Sequence, residues 1–106
     1  MKKLPEDFKK KWIDALRSGE YKQGKNHLVI FGNNNEPYYC CLGVAGKVCG
    51  LSDIDLRFQD FFTQTHVNNL PDLLFGEDNV PAMLAKMNDD DNMSFNKIAD
   101  YIEKEL

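Results

Sequence analysis

At 106 residues and 12.2 kDa, with 42% hydrophobic and 28% charged residues, the chain has the size of one small domain, which excludes multidomain enzymes and repeat arrays. A domain near 100 residues buries roughly two thirds of its unfolded surface, so one core holds without metal or disulfide support. The net charge of -4 hides an asymmetry: residues 1–53 carry 9 Lys/Arg against 6 Asp/Glu, and residues 54–106 carry 4 against 11, a pattern that suits either two ordinary solvated faces or a surface for a polar partner.

Pro5 suits a first helical turn, and Phe8, Trp12, Ala15 and Leu16 follow at i, i+4, i+7 and i+8, which predicts an amphipathic helix over 5–18 ended by Gly19. After the polar link at 21–25, the run His27 to Phe31 predicts a strand, and Gly32 to Pro37 a turn. Tyr38, Tyr39 and Cys40 then return antiparallel as a short hairpin that needs helices packed on it. Cys41, Val44, Ala45 and Val48 give a helix over 41–48, with Gly50 as its stop, and Gly43 and Gly46 imply close approach by another backbone. Ser52 or Asp53 caps a third helical segment reaching about residue 62 and carrying Ile54, Phe58, Phe61 and Phe62. Residues 63–79 carry no clear period. Val80 to Met87 forms a short helix with Pro81 in its first turn. The acidic loop Asp89-Asp90-Asp91-Asn92 follows, and Ser94 caps a final helix carrying Phe95, Ile98, Ala99 and Ile102. The fold class is α+β: a mostly helical single domain of four to five helices with one antiparallel β-hairpin.

No apolar run approaches the roughly 20 residues of a membrane helix, and Lys2-Lys3 lead into Glu6, Asp7 and Lys9 in place of an apolar leader, so a cytoplasmic protein without membrane association is expected. Cys40, Cys41 and Cys49 are an odd number, and neighbouring Cys40 and Cys41 bridge poorly, so reduced thiols are the default. They lack zinc spacing with His27 and His66, and the aspartate run fails as a calcium loop because Met93 stands at a ligand position and Ser94 at the turn glycine. No metal and no cofactor is expected.

The chemical alternative is a nucleophilic cysteine. Cys40 or Cys41 stands where a strand feeds a helix N-terminus, which lowers a thiol pKa, and His66 or His27 is the available base. Burial as a small core hydrophobe competes with that role. Direct DNA binding is not expected, because the last helix offers Lys97 and Lys104 against Asp100, Glu103 and Glu105.

Three segments carry a resemblance. They are Trp12 to Gly19 with Tyr21-Lys22-Gln23-Gly24; Tyr39-Cys40-Cys41-Leu42-Gly43-Val44; and Leu84 to Asp89 with Ser94-Phe95 and Ile98-Ala99-Asp100-Tyr101-Ile102. Together they resemble uncharacterised small proteins of tailed phages, prophages and bacteria, over most of the chain apart from 51–79. The loop before Ser94 is Asp-rich here, where those proteins often carry a glycine. The resemblance implies a phage accessory protein, and such proteins commonly bind a host protein or a defence-signalling nucleotide. Three functions follow: a non-catalytic binder of a host or defence protein, a sequestering protein for a small nucleotide ligand, and a cysteine enzyme. In the second, Lys22, Gln23, Lys25, Tyr38 and Tyr39 would supply phosphate contact and stacking. A homodimer through the open hairpin edge is compatible with each.

Overall fold

The computed structural model of the chain describes residues 4–57, 59–62, 70–75 and 79–106. Phe58 and His66 lie outside the described residues. Among the described residues, five helices and a two-stranded antiparallel sheet make an α+β fold: α1 (Glu6–Arg17), β1 (Val29–Phe31), β2 (Pro37–Tyr39), α2 (Cys41–Val48), α3 (Asp53–Leu56), α4 (Val80–Asp89) and α5 (Phe95–Glu105). A 3₁₀ turn at Asp72–Leu74 precedes α4.

α2 is the axle of the core. Its residues 41–46 are all buried, and Trp12 of α1 donates its indole N–H to the Cys41 carbonyl at 3.0 Å. Gly43 is required by contact, since a Cβ there would stand 1.9 Å from the Leu28 carbonyl oxygen, the close backbone approach its sequence position implies. Gly46 faces side chains instead, Leu56 and Phe62, at 3.0–3.1 Å from a Cβ. α1 lays Trp12, Ile13 and Leu16 onto α2 and onto the apolar stripe of α5. That stripe is Phe95, Ile98, Ala99 and Ile102, with Ser94 as the N-cap, as its spacing predicts. Across the solvent side of this helix pair Arg17 reaches Asp100 at 2.6 Å and Glu103 at 3.4 Å.

In the hairpin Val29 faces Tyr39, Ile30 faces Tyr38 and Phe31 faces Pro37. The open edges expected of an isolated hairpin are occupied. Gln23 bridges to Tyr39 on the β2 side, with Gly24 N–H on the Tyr39 carbonyl at 2.7 Å, and Arg57 bridges to Val29 on the β1 side. The edge argument for a homodimer is thereby removed at these positions.

Two boundaries differ from the sequence reading. The third segment is helical for one turn only: a capping box of Ser52 and Asp55 starts it, but Arg57 is extended (φ -63°, ψ 145°) and the chain runs on beside β1, with Leu28 N–H on the Gln59 carbonyl at 2.7 Å. Pairing with the strand thus overrides the helical spacing of the aromatic residues. Ile54 is 67% exposed, whereas Phe62 is buried. α4, in turn, runs two residues past Met87, so its last turn takes in Asn88 and also Asp89, the first residue expected in the acidic loop. Asn92, in the loop before Ser94, has φ 54°, a left-handed conformation that asparagine tolerates better than most residues.

Candidate functional site

The last turn of α4 gathers polar groups of the 23–26 link into one network with Asn88 and Asp89. Asn88 is fully buried, because it continues the inward face of Pro81, Leu84 and Met87. Its amide is satisfied on both sides: Oδ1 accepts from Gln23 Nε2 at 2.8 Å, and Nδ2 donates to the Gly24 carbonyl and to Asp89 Oδ1, each at 2.8 Å. Gln23 also donates to the Met93 carbonyl at 2.7 Å. Asp89 Oδ1 accepts a second bond from the Asn26 N–H at 3.1 Å, where Asn26 takes φ 75° to make the turn. A buried polar group left unpaired costs about 1–3 kcal/mol, so this closed network fixes the 22–26 link against α4.

Cys40 caps α2 with sulfur: Sγ accepts from the Gly43 N–H at 3.4 Å, the strand-to-helix position expected of a reactive thiol. The expected activation does not follow. Burial pushes the Cys40 thiol up to about 12, against the smaller lowering effect of the backbone N–H groups at the helix start. Cys41 is driven well above its usual value by burial as well, and its S–H points to the Leu84 carbonyl at 3.6 Å. Both are protonated at neutral pH. Cys49, half-buried, is raised by the same cause, and none of the three is disulfide-linked.

The nucleotide-site candidates Lys22, Gln23, Lys25, Tyr38 and Tyr39 are divided by the fold. Gln23 is inside the Asn88 network, and Lys25 is paired with Asn92 across the same junction. Tyr39 is buried, its hydroxyl donating to Asp53 at 2.7 Å and its ring edge-on to Tyr21. Burial and the Asp53 bond raise its pKa. Lys22 and Tyr38 remain together on the outer face, with the ammonium 6.0 Å from the ring centroid and paired with Glu36.

A different grouping forms a recess. Asn26, His27, Cys40, Asp60, Phe61, Ala85 and Asp89 line a partly open cavity of about 210 Å³. His27 Nδ1 lies 2.7 Å from Asp60 Oδ1, so the carboxylate orients the imidazole. His27 and Cys40 are two residues the sequence singles out, and the fold brings them to one cavity. Asp60 and Asp89 carried no signal of their own: Asp60 stands 33 residues from its partner His27, and Asp89 reads as part of a solvated acidic loop. Asn88 did leave a trace, as a polar residue i+4 from Leu84 on an apolar face.

A family model described as a domain of unknown function, DUF8296, matches residues 4–67, more than half of the chain. The chain belongs to the DUF8296 family. The span that defines DUF8296 here carries Gln23, His27, Cys40 and Asp60, whereas Asn88 and Asp89, which close the network and the recess, lie beyond it. No curated protein and no solved structure matches the chain.

Proposed function

We propose that this DUF8296 protein is a non-catalytic binding module of the phage accessory type, acting in the bacterial cytoplasm on a host or host-defence protein. The observation that carries the reading is the contrast around Cys40. Its thiol is sealed in the cap of α2 and held up to about 12, while the recess beside it stays open and keeps its charged groups at the surface. Gln23 and Tyr39, which a nucleotide pocket would need, are held by internal hydrogen bonds, and that favours a protein partner over a sequestered nucleotide. Counter-defence is the role that fits a small phage-type binder.

One observation favours a second reading. An imidazole oriented by a carboxylate shares its cavity with a cysteine at a helix N-terminus, the grouping from which a cysteine nucleophile is built. It requires a thiolate, and burial opposes one.

The test is capture from lysate of the bacterial host, followed by re-forming the complex from purified components, with wild type and Cys40→Ser compared. A 1:1 complex that Cys40→Ser leaves intact is expected. Thermal stabilisation by a nucleotide, about 2.7 kcal/mol at a hundredfold excess over Kd, would establish sequestration instead. Alkylation of Cys40 by iodoacetamide well below pH 8.5 in the folded protein would show the thiolate that the enzyme reading requires.

A further inference from the structure

We infer that the recess between the Asn26–His27 turn, Asp60–Phe61 and the last turn of α4 is the anchor socket for an arginine side chain of the protein partner. The inference rests on the binding-module reading and gives it an address.

The lining decides the sign of the occupant. Asp60 and Asp89 both line the recess, and among the described residues no Lys or Arg does. Each carboxylate is already held by one oxygen: Asp60 Oδ1 by His27, and Asp89 Oδ1 by the Asn26 N–H and the Asn88 amide. The second oxygen of each has no hydrogen-bond partner among the described residues, so two oriented acceptors stand ready for donors from outside. Anions, phosphate included, are repelled by the same pair.

Size and shape narrow the class. About 210 Å³ is below the roughly 300–1,000 Å³ typical of small-molecule pockets, and it suits one long side chain rather than a nucleotide. Among the described residues no three His, Cys, Asp or Glu side chains converge closely enough to hold a metal ion, so the cation that fits is an organic one. A planar guanidinium, with five N–H donors in a fixed fork, can serve two carboxylates at once, whereas an ammonium is a point charge. Phe61 supplies an aromatic wall of the kind a guanidinium stacks on, and Ala85 an apolar one for the methylene stem. The site is preorganised because Asp89 is fixed by the buried Asn88 network, and preorganisation is what lets a single anchor matter in an interface.

The experiment has two arms. In the first, ¹⁵N-labelled protein is titrated with N-acetyl-argininamide and, separately, with N-acetyl-lysinamide. Amide shifts concentrated at Asn26, His27, Asp60, Ala85 and Asp89 are expected with the arginine probe, weaker with the lysine probe, and reduced at least tenfold in affinity by Asp60→Asn. Asp60 is the residue to change because its side chain is 63% exposed and the core does not depend on it. No localised shifts, equal response to both probes, or shifts that persist in Asp60→Asn would overturn the socket. In the second arm, Asp60→Asn is compared with wild type in the purified complex, where a tenfold to hundredfold loss of affinity is expected for one charge-assisted anchor. A complex that forms equally well with Asp60→Asn sinks the socket and leaves the binding module standing. Failure to form any complex sinks the binding module, an outcome that the titration of the isolated protein does not depend on.

Discussion

Two walls of one recess show opposite uses of reactive chemistry. Cys40 contributes a sulfur that faces inward, accepts the Gly43 N–H and is held protonated by burial. Asp60 and Asp89 contribute carboxylates that line the cavity with one oxygen of each already hydrogen-bonded. The residue type with the richer intrinsic chemistry is the structural one, and the ordinary aspartates are the accessible ones. Availability, set by burial and by which lone pairs are already taken, separates the walls more sharply than residue identity does.

The comparison breaks hardest at Gly43. Gly43→Ala places a methyl 1.9 Å from the Leu28 carbonyl oxygen, a clash with backbone that forces α2 away from β1, and urea denaturation should show a loss of about 3 kcal/mol or more. The sealed wall would then open, and Cys40 would react with iodoacetamide in the variant while remaining inert in the wild type at neutral pH.

Asn88→Ala acts on the other wall. It deprives the Gly24 carbonyl of its side-chain donor and leaves Gln23 and Asp89 each short of a partner, for an expected loss of about 2–3 kcal/mol. Hydrogen exchange should rise along 22–26 while the α1–α5 pair keeps its protection. A variant with unchanged exchange there would show that Asn88 does not hold the recess.

The gentlest perturbation is alkaline pH. The Cys40 and Cys41 thiols are raised in the folded state, so the native protein keeps protons that the unfolded chain loses above about pH 8.5. Stability is therefore fully present below that value and falls as pH rises toward the folded pKa. The limiting slope is about 1.4 kcal/mol per pH unit for each thiol. Denaturation midpoints at pH 8 and pH 9 measure it, and Cys40→Ser should shallow the slope. A flat profile in wild type would mean that the thiols are not sealed.

Much of this was readable from residue order. Helix α1, the hairpin, α2 and α5 follow from 3.6-residue spacing, β-branched runs, the Gly19 and Gly50 stops (φ +80° and +92°) and the Ser94 cap, because these signals are local. The segment after Asp53 was not readable. Its aromatic spacing suits a helix, but Arg57 leaves the helix to pair with Val29, a choice made by a strand nearly 30 residues earlier. The site was half legible: His27 and Cys40 stand out by type, whereas the partners that give them context, Asp60 and Asp89, are distant in sequence and common in kind. Lys22, Gln23, Lys25, Tyr38 and Tyr39 read as one polar surface because all of them lie near the hairpin. The pleat and the turn at Asn26 send them to different sides.

The packing of α1 on α5 also sets a clock. Trp12, Ile13 and Leu16 are synthesised well before α5, yet one face of their contact is built from residues 95–102. At 5–20 residues per second the delay is on the order of ten seconds, during which α1 carries an uncovered apolar stripe. Completion of the core is thus a late event in the nascent chain, because α1 waits for α5 to cover its second contact.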